Sequence, residues 1–161
     1  GHFDGVATVV TKLFLQTGAD LAFFGEKDYQ QLHIVGRLAR DLDIPIEIVA
    51  CPTVREEDGL AMSSRNLRLS ADQRQVAPKL AEILFMATTR LTAGIAVQDV
   101  LAWARHAILS AGYREVEYLE LRAEDDLSSL DEANRPARLL VAAWLGDVRL
   151  IDNVCVREKT R

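Results

Sequence analysis

The stretch FFGEKDYQQ, residues 23–31, decides how the first part of this sequence is interpreted. Two phenylalanines are followed at once by Gly25, three alternating charges and a pair of amides. A short apolar run that is closed by glycine is typical of a buried parallel strand. In an open α/β sheet, ligands bind beyond the carboxyl ends of such strands. The stretch is therefore either an ordinary strand-to-helix turn or the floor of a reaction site.

The segments around this stretch predict a helix, a strand, a helix and a strand in that order. Apolar residues recur at helical spacing in the first helix, with Asp4 as its candidate N-cap and Gly18 just past its end. This order of elements predicts a βαβ unit in a parallel sheet. The predicted helices cover 4–17 and 28–41, and the predicted strands cover 19–25 and 44–52.

The second half of the chain has a different pattern, which predicts an α+β unit with an antiparallel sheet. Ser70 and Gln73 have the spacing of a capping box and start a long helix, in which Pro78 either introduces a kink or marks the true start. Gly146 and Asp147 predict a two-residue hairpin turn. The other predicted elements are a helix over 96–111, a strand over 115–122, the hairpin within 137–156 and an exposed loop over 131–138.

The composition is that of an ordinary globular protein and limits its partners. The 161 residues are 49% hydrophobic and 27% charged, and the formal net charge is -5. Nucleic-acid and anionic-membrane surfaces need a basic field, so we expect no nucleic-acid and no membrane partner. Cys51 and Cys155 lack metal-ligand spacing, and we expect half-buried thiols in a reducing cytoplasm. The chain opens without methionine and reads like a segment that begins in mid-protein.

Two polar segments could bind an anion. In GEKD, glycine allows close approach of a ligand, Lys27 can meet phosphate, and Asp28 can accept hydrogen bonds from ribose. Taken alone, these residues favour the simpler interpretation of a solvated lysine and a helix N-cap. In MSSRN, residues 62–66, two hydroxyls and a guanidinium could clamp an anion, or form a surface loop. The acidic run EED at 56–58 predicts a solvated face. His33 lies between Leu32 and Ile34 and is expected to be a core histidine.

The segments GHFDGV, FFGEKDYQQ, PTVREEDGLAMSSRN and YLELR, in this order, resemble the pantoate–β-alanine ligase family. The resemblance implies an α/β fold with a partial Rossmann-like parallel sheet of the nucleotidyltransferase (HUP) type. A smaller α+β C-terminal domain with antiparallel strands is implied to follow. Residues 1–53 would be the second part of the domain that binds ATP and pantoate. Residues 54–161 would be a lid domain that carries the MSSRN phosphate loop.

The resemblance also implies an activity and its partners. Pantoate would react with ATP to give pantoyl adenylate and pyrophosphate, and β-alanine would then displace AMP to give pantothenate. Mg²⁺ would accompany the ATP, and the enzyme would be a cytoplasmic homodimer.

Site residues follow from the positions that match the family's motifs. Gln31 would orient pantoate, and Val54 would contact the adenine region through its backbone. The implied catalytic residues are Lys27, Ser63, Ser64 and Arg65, and no metal ligand is predicted. The implied ATP-binding residues are Gly25, Glu26, Lys27, Asp28, Val54, Met62, Ser63, Ser64 and Arg65.

One departure from the family pattern leaves three interpretations open. The HxGH histidine pair, which would contact the phosphates, is absent, as is the first half of the Rossmann sheet. The chain is then part of a working ligase, or a non-catalytic folded fragment or self-associating module. The third interpretation is a nucleotidyltransferase for another acid or alcohol, against which Gln30 and Gln31 argue.

Overall fold

A computed structural model describes residues 1–156 of the chain. They divide into two compact units, Gly1–Thr53 and the described residues from Val54 onward, and each unit is built around a hydrophobic core of its own. No helix in the described part of the chain is both long enough and apolar enough to cross a membrane.

The first unit is a parallel strand–helix–strand unit preceded by a helix, as the sequence predicts. β1 and β2 pair in parallel, so that Gly25 lies opposite Cys51 at the carboxyl ends of the two strands. Helix α1 begins at His2, and Asp4 therefore lies in its first turn and is not the predicted N-cap. Gly18 ends α1 in the left-handed conformation, at φ 59°. The elements are α1 (His2–Thr17), β1 (Leu21–Gly25), a 3₁₀ turn (Glu26–Asp28), α2 (Tyr29–Asp41) and β2 (Glu47–Cys51).

The core of the first unit lies on one face of its two-stranded sheet. Phe14 and Val35, from the two helices, pack against Phe24 of β1. On the other face, Leu21 is 47% exposed and Phe23 is 66% exposed. The prediction of a buried strand is therefore wrong for β1, because both helices cover the same face and alternate residues of a strand point to opposite faces.

The second unit packs three helices on an antiparallel sheet in the order β3–β4–β5. The predicted capping box of Ser70 and Gln73 is confirmed in both its hydrogen bonds. The predicted long helix is two helices, because Pro78 is the N-cap residue of the second. Its elements are a 3₁₀ helix (Ser64–Arg68), α3 (Ala71–Val76), α4 (Lys79–Thr92), α5 (Val97–Ser110), β3 (Glu115–Ala123), β4 (Ala137–Leu145) and β5 (Val148–Val156).

Strand β4 runs through the centre of this sheet and is buried along almost its whole length. It turns into β5 at Gly146 and Asp147, as the sequence predicts, with Gly146 at φ 58°. The predicted exposed loop over 131–138 is too long by two residues, because Ala137 and Arg138 belong to β4 and are buried. Leu139 and Val141 of β4 are fully buried in the core that α4 and α5 cover.

Candidate functional site

The first group of candidate residues lies where β1 ends and α2 begins. Lys27 is 14% exposed, and its Nζ lies 3.7 Å from the carboxylate of Asp28, which is 50% exposed. Asp28 occupies the N-cap position of α2, but its side chain makes no capping hydrogen bond. The N-cap interpretation therefore does not account for this carboxylate, which can accept a hydrogen bond from a ligand.

The surroundings of this turn leave room for a ligand. Gly25 has an ordinary extended conformation, and a Cβ atom added to it would meet nothing within 4 Å. Neither strain nor crowding within the unit requires glycine there, which fits a position that a ligand approaches closely. Gln31 is half-buried in the first turn of α2. His33 is half-buried and not the predicted core histidine, and its ring packs on Tyr29 at a centroid distance of 4.8 Å.

The second group of candidate residues lies on a tight hairpin at the start of the second unit. Val54 accepts a hydrogen bond from the backbone N–H of Met62 at 3.0 Å, and Arg55 pairs with Ala61 in an antiparallel bridge. The turn between them contains Gly59 at φ 89°, a conformation that favours glycine. Val54 itself is 65% exposed.

Residues 62–65 extend from this hairpin towards solvent. The Ser63 hydroxyl accepts a hydrogen bond from the Arg65 backbone N–H at 3.2 Å and so caps the following 3₁₀ helix. Ser64 and Arg65 are exposed, and Arg65 makes no ion pair within residues 1–156. This surface loop thus presents a hydroxyl and an unpaired guanidinium together, which is a donor set suited to phosphate oxygens.

An acidic network behind this loop was not predicted from the sequence. The Glu56 carboxylate accepts hydrogen bonds from Asn66 Nδ2, at 2.8 Å, and from the Arg74 guanidinium. Asp58 accepts a second hydrogen bond from Arg74, which lowers the pKa of Asp58 and raises the pKa of Arg74. The predicted solvated face is therefore wrong for Glu56, which is half-buried, and holds for Asp58, which is exposed although it is paired with Arg74. The partners are 10 to 18 positions apart, so no local periodicity signals them.

A buried ion pair attaches the hairpin to strand β5. Arg55 donates to both carboxylate oxygens of Asp152, at 2.7 and 2.9 Å, and to the carbonyl of Gly59 at 3.0 Å. The Asp152 side chain is only 2% exposed. The guanidinium also lies over the ring of Phe85, at 5.2 Å from its centroid. The pair spans 97 positions, and nothing in the local sequence indicates it.

The structure thus gathers the candidate residues into two contiguous groups, one in each unit. Gly25, Glu26, Lys27, Asp28 and Gln31 form the first group. Val54 and residues 62–65 form the second. Within residues 1–156, no three His, Cys, Asp or Glu side chains form a group that could hold a metal ion.

This fold is that of an α/β protein of the nucleotidyltransferase (HUP) type, and comparison with known proteins identifies the family. The family model described as pantoate-beta-alanine ligase matches residues 1–155. The chain belongs to this family, which confirms the resemblance seen in the sequence.

Curated relatives and solved structures agree with this assignment. The chain is 73% identical over 98% of its length to a pantothenate synthetase from Chelativorans sp. and 60% identical to one from Ruegeria pomeroyi. It covers 56% and 55% of these relatives, so it spans about half their length. A crystal structure of pantothenate synthetase from Thermus thermophilus matches with a TM-score of 0.91 and 44% identity, covering 97% of this chain and 56% of that one.

A further structure comes from Francisella tularensis and is a pantoate-beta-alanine ligase complexed with beta-gamma ATP and beta-alanine. It matches with a TM-score of 0.71 and 33% identity, over 96% of this chain and 51% of that one.

Proposed function

We propose that this chain forms part of an ATP-dependent ligase that condenses (R)-pantoate with β-alanine to give pantothenate, AMP and pyrophosphate. The observation that carries the proposal is the exposed loop of residues 62–65. In a chain of this family, it presents a hydroxyl and an unpaired Arg65 guanidinium from a well-held hairpin.

The first chemical step requires groups that stabilise negative charge. The pantoate carboxylate attacks the α-phosphate of ATP, forming an acyl–phosphate bond and releasing pyrophosphate. An anion must approach a polyanion, so cationic and hydroxyl donors must offset the charge that moves to the leaving group. Lys27 of the first group and Arg65 of the second supply positive charge, and Ser63 and Ser64 of the second group supply hydroxyl donors.

The second step transfers the pantoyl group from the phosphate to the amine. The β-alanine amine attacks the acyl carbon and loses a proton, the bond from that carbon to the phosphate oxygen breaks, and AMP leaves. Here the proposed residues chiefly hold the reactants in place, which is itself a large contribution to rate.

The remaining residues of the proposed site bind and orient the substrates. Asp28, with no capping bond to the helix, accepts hydrogen bonds from the ribose, and Gly25 allows the sugar to approach the backbone. Glu26 belongs to the same turn of the ATP-binding segment. Gln31 orients pantoate through its half-buried amide, and Val54 contacts the adenine region through its backbone.

The proposal extends to the wider setting of the enzyme. Residues 1–53 serve as part of the domain for ATP and pantoate, and residues 54–161 serve as its lid. Mg²⁺ arrives bound to the phosphates of ATP, and we assign no residue of this chain to it. The complete enzyme is a cytoplasmic homodimer.

The test is AMP release from ATP that depends on both pantoate and β-alanine. It is run on the 161-residue chain and on the same chain joined to the N-terminal segment of the Chelativorans relative. We expect release from the joined protein and little from the chain alone, since the HxGH histidines of the family lie outside this sequence. A joined, folded protein that releases no AMP contradicts the proposal.

A second candidate function is that of a self-associating module without catalysis. The observation in its favour is the exposed apolar face of the first unit, where Leu21 and Phe23 are 47% and 66% exposed. Sedimentation of the chain over a range of concentrations, compared with a Phe23→Ser variant, tests it. Association that Phe23→Ser abolishes would support this module, and a concentration-independent monomer would exclude it.

A further inference from the structure

The two ends of the exposed loop at residues 62–65 are tied together by one amide side chain. Asn66 follows the loop, and its Nδ2 donates to the backbone carbonyl of Ala61, which precedes the loop, at 3.1 Å. The same nitrogen donates to Glu56 Oε1 at 2.8 Å. Ala61 is only 3% exposed, so one end of the loop is anchored in the interior of the second unit. The Asn66 amide closes the loop, and Glu56 holds the amide.

Glu56 is itself fixed by helix α3. Its second oxygen, Oε2, accepts a hydrogen bond from Arg74 Nη2, while Arg74 Nη1 donates to Asp58. The first turn of α3 is held by the capping box of Ser70 and Gln73. The Glu56 and Arg74 side chains are 31% and 34% exposed, so the pair is shielded from water over most of its surface.

The orientation of the Asn66 amide depends on Glu56. Asn66 Oδ1 is buried and has no hydrogen-bond partner within residues 1–156. An unsatisfied buried acceptor costs free energy, which the charge-assisted bond from Nδ2 to the carboxylate offsets. Reversing the amide would place its oxygen against two other acceptors, the Glu56 carboxylate and the Ala61 carbonyl. Only one orientation of the Asn66 amide therefore lets its Nδ2 donate to both the Glu56 carboxylate and the Ala61 carbonyl.

We infer that Glu56 is a positioning residue that acts through Asn66 to hold residues 62–65 in the conformation that receives phosphate. A loop that is already ordered loses less conformational entropy when it binds a ligand. The inference rests on the proposed function, because that function assigns phosphate to this loop.

The test compares two matched substitutions, Glu56→Gln and Asp58→Asn. Each replaces a carboxylate that accepts from two donors, one of which is Arg74, by an amide with a single oxygen. Only the Glu56 variant disturbs Asn66. The Arg74 guanidinium attracts the remaining oxygen more strongly, so the new NH₂ group at position 56 faces the NH₂ group of Asn66.

The first readout is amide hydrogen exchange in the 161-residue chain without ligand. The backbone N–H groups of Met62, Arg65 and Asn66 all donate hydrogen bonds, so their exchange reports opening of the loop. We expect Glu56→Gln to accelerate their exchange by about tenfold, the effect of losing a hydrogen bond to a charged group. Asp58→Asn should change it by less than about threefold. Equal effects of the two variants would overturn the inference.

The second readout is binding of inorganic pyrophosphate, followed as protection from tryptic cleavage after Arg65. The half-protecting concentration should rise about tenfold in Glu56→Gln and much less in Asp58→Asn. Equal protection of Glu56→Gln and the parent chain would show that the hydrogen bond between Glu56 and Asn66 does not position the loop for phosphate. If the parent chain is not protected at all, the phosphate assignment itself fails and the inference with it. In that case the hydrogen-exchange result shows only that Glu56 orders the loop, and it says nothing about phosphate binding.

A third substitution tests whether Glu56 acts through Asn66. In an Asn66→Ala background, Glu56→Gln should have no further effect on exchange of the loop, since the contact it breaks is already gone. Additive effects would mean that Glu56 acts by another route. The urea midpoint of each variant, followed by tryptophan fluorescence, shows whether the second unit stays folded in every comparison.

Discussion

Replacing Asp152 by asparagine should destabilise the second unit by about 3 kcal/mol. Asp152 is buried and accepts hydrogen bonds from both terminal nitrogens of Arg55, at 2.7 and 2.9 Å, and from the Asn153 N–H at 2.7 Å. Removing one partner of a buried ion pair typically costs about 3–5 kcal/mol. Arg55 is 20% exposed and still donates to the Gly59 carbonyl, so the lower end of that range applies.

Urea unfolding followed by tryptophan fluorescence measures this change in one unit only. The chain has two tryptophans, Trp103 and Trp144, and both lie in the second unit. With a slope of about 2 kcal/mol per molar urea for a domain of this size, a loss of about 3 kcal/mol lowers the midpoint by about 1.5 M.

The matched control is Asp147→Asn. Asp147 also pairs with an arginine, Arg114, at 3.1 Å, but its side chain is 97% exposed. Surface ion pairs contribute little to stability, so this variant should unfold at nearly the parent midpoint. If Asp152→Asn and Asp147→Asn shift the midpoint by the same amount, burial does not give the Arg55–Asp152 pair its strength and the reasoning is refuted.

Three further predictions concern other parts of the chain. Burial raises the pKa of Tyr113 above its value of about 10 in the unfolded chain. The neutral phenol of Tyr113 therefore contributes its full share to folding stability below about pH 10, and this share is lost progressively as the pH rises above that value. In an alkaline pH titration, the tyrosinate absorbance of Tyr113, assigned by comparison with Tyr113→Phe, should appear at the same pH at which tryptophan fluorescence shows unfolding, and not below it. Gly146→Ala should lower the free energy of unfolding by about 1 kcal/mol more than Gly94→Ala in urea titrations. Both positions have positive φ, but only a Cβ at Gly146 would strike the capping-box side chain of Gln73. Lys27→Ala in the joined protein should slow AMP release by about 10²-fold, as for removal of one charge-stabilising donor, with little change in circular dichroism.

Short-range signals in the sequence predicted the element order and several boundaries. Gly18, the pair Ser70 and Gln73, and the hairpin turn at Gly146 each act through neighbours a few positions away, so the local sequence contains the whole signal. Pro78 left two outcomes open, and the structure has the second, a new helix start.

Features that depend on distant partners could not be predicted in this way. Phe23 and Phe24 are chemically identical, and only the placement of both helices on one face of the sheet decides which is exposed and which is half-buried. The contacts of Glu56 with Asn66 and Arg74 likewise join residues with no local pattern. The candidate site itself was found from motif resemblance, whereas the residues that support its loop became visible only in the structure.

The unequal cores of the two units have a consequence for how the protein withstands heat. Phe14, Val35 and Ala39 are the buried centre of the first unit, whereas the second has a continuous core of buried side chains from Leu60 to Val156. Free energies of opening follow buried apolar area, so the first unit opens at lower cost. On warming, the turn that carries Lys27 should therefore melt before the loop that carries Arg65.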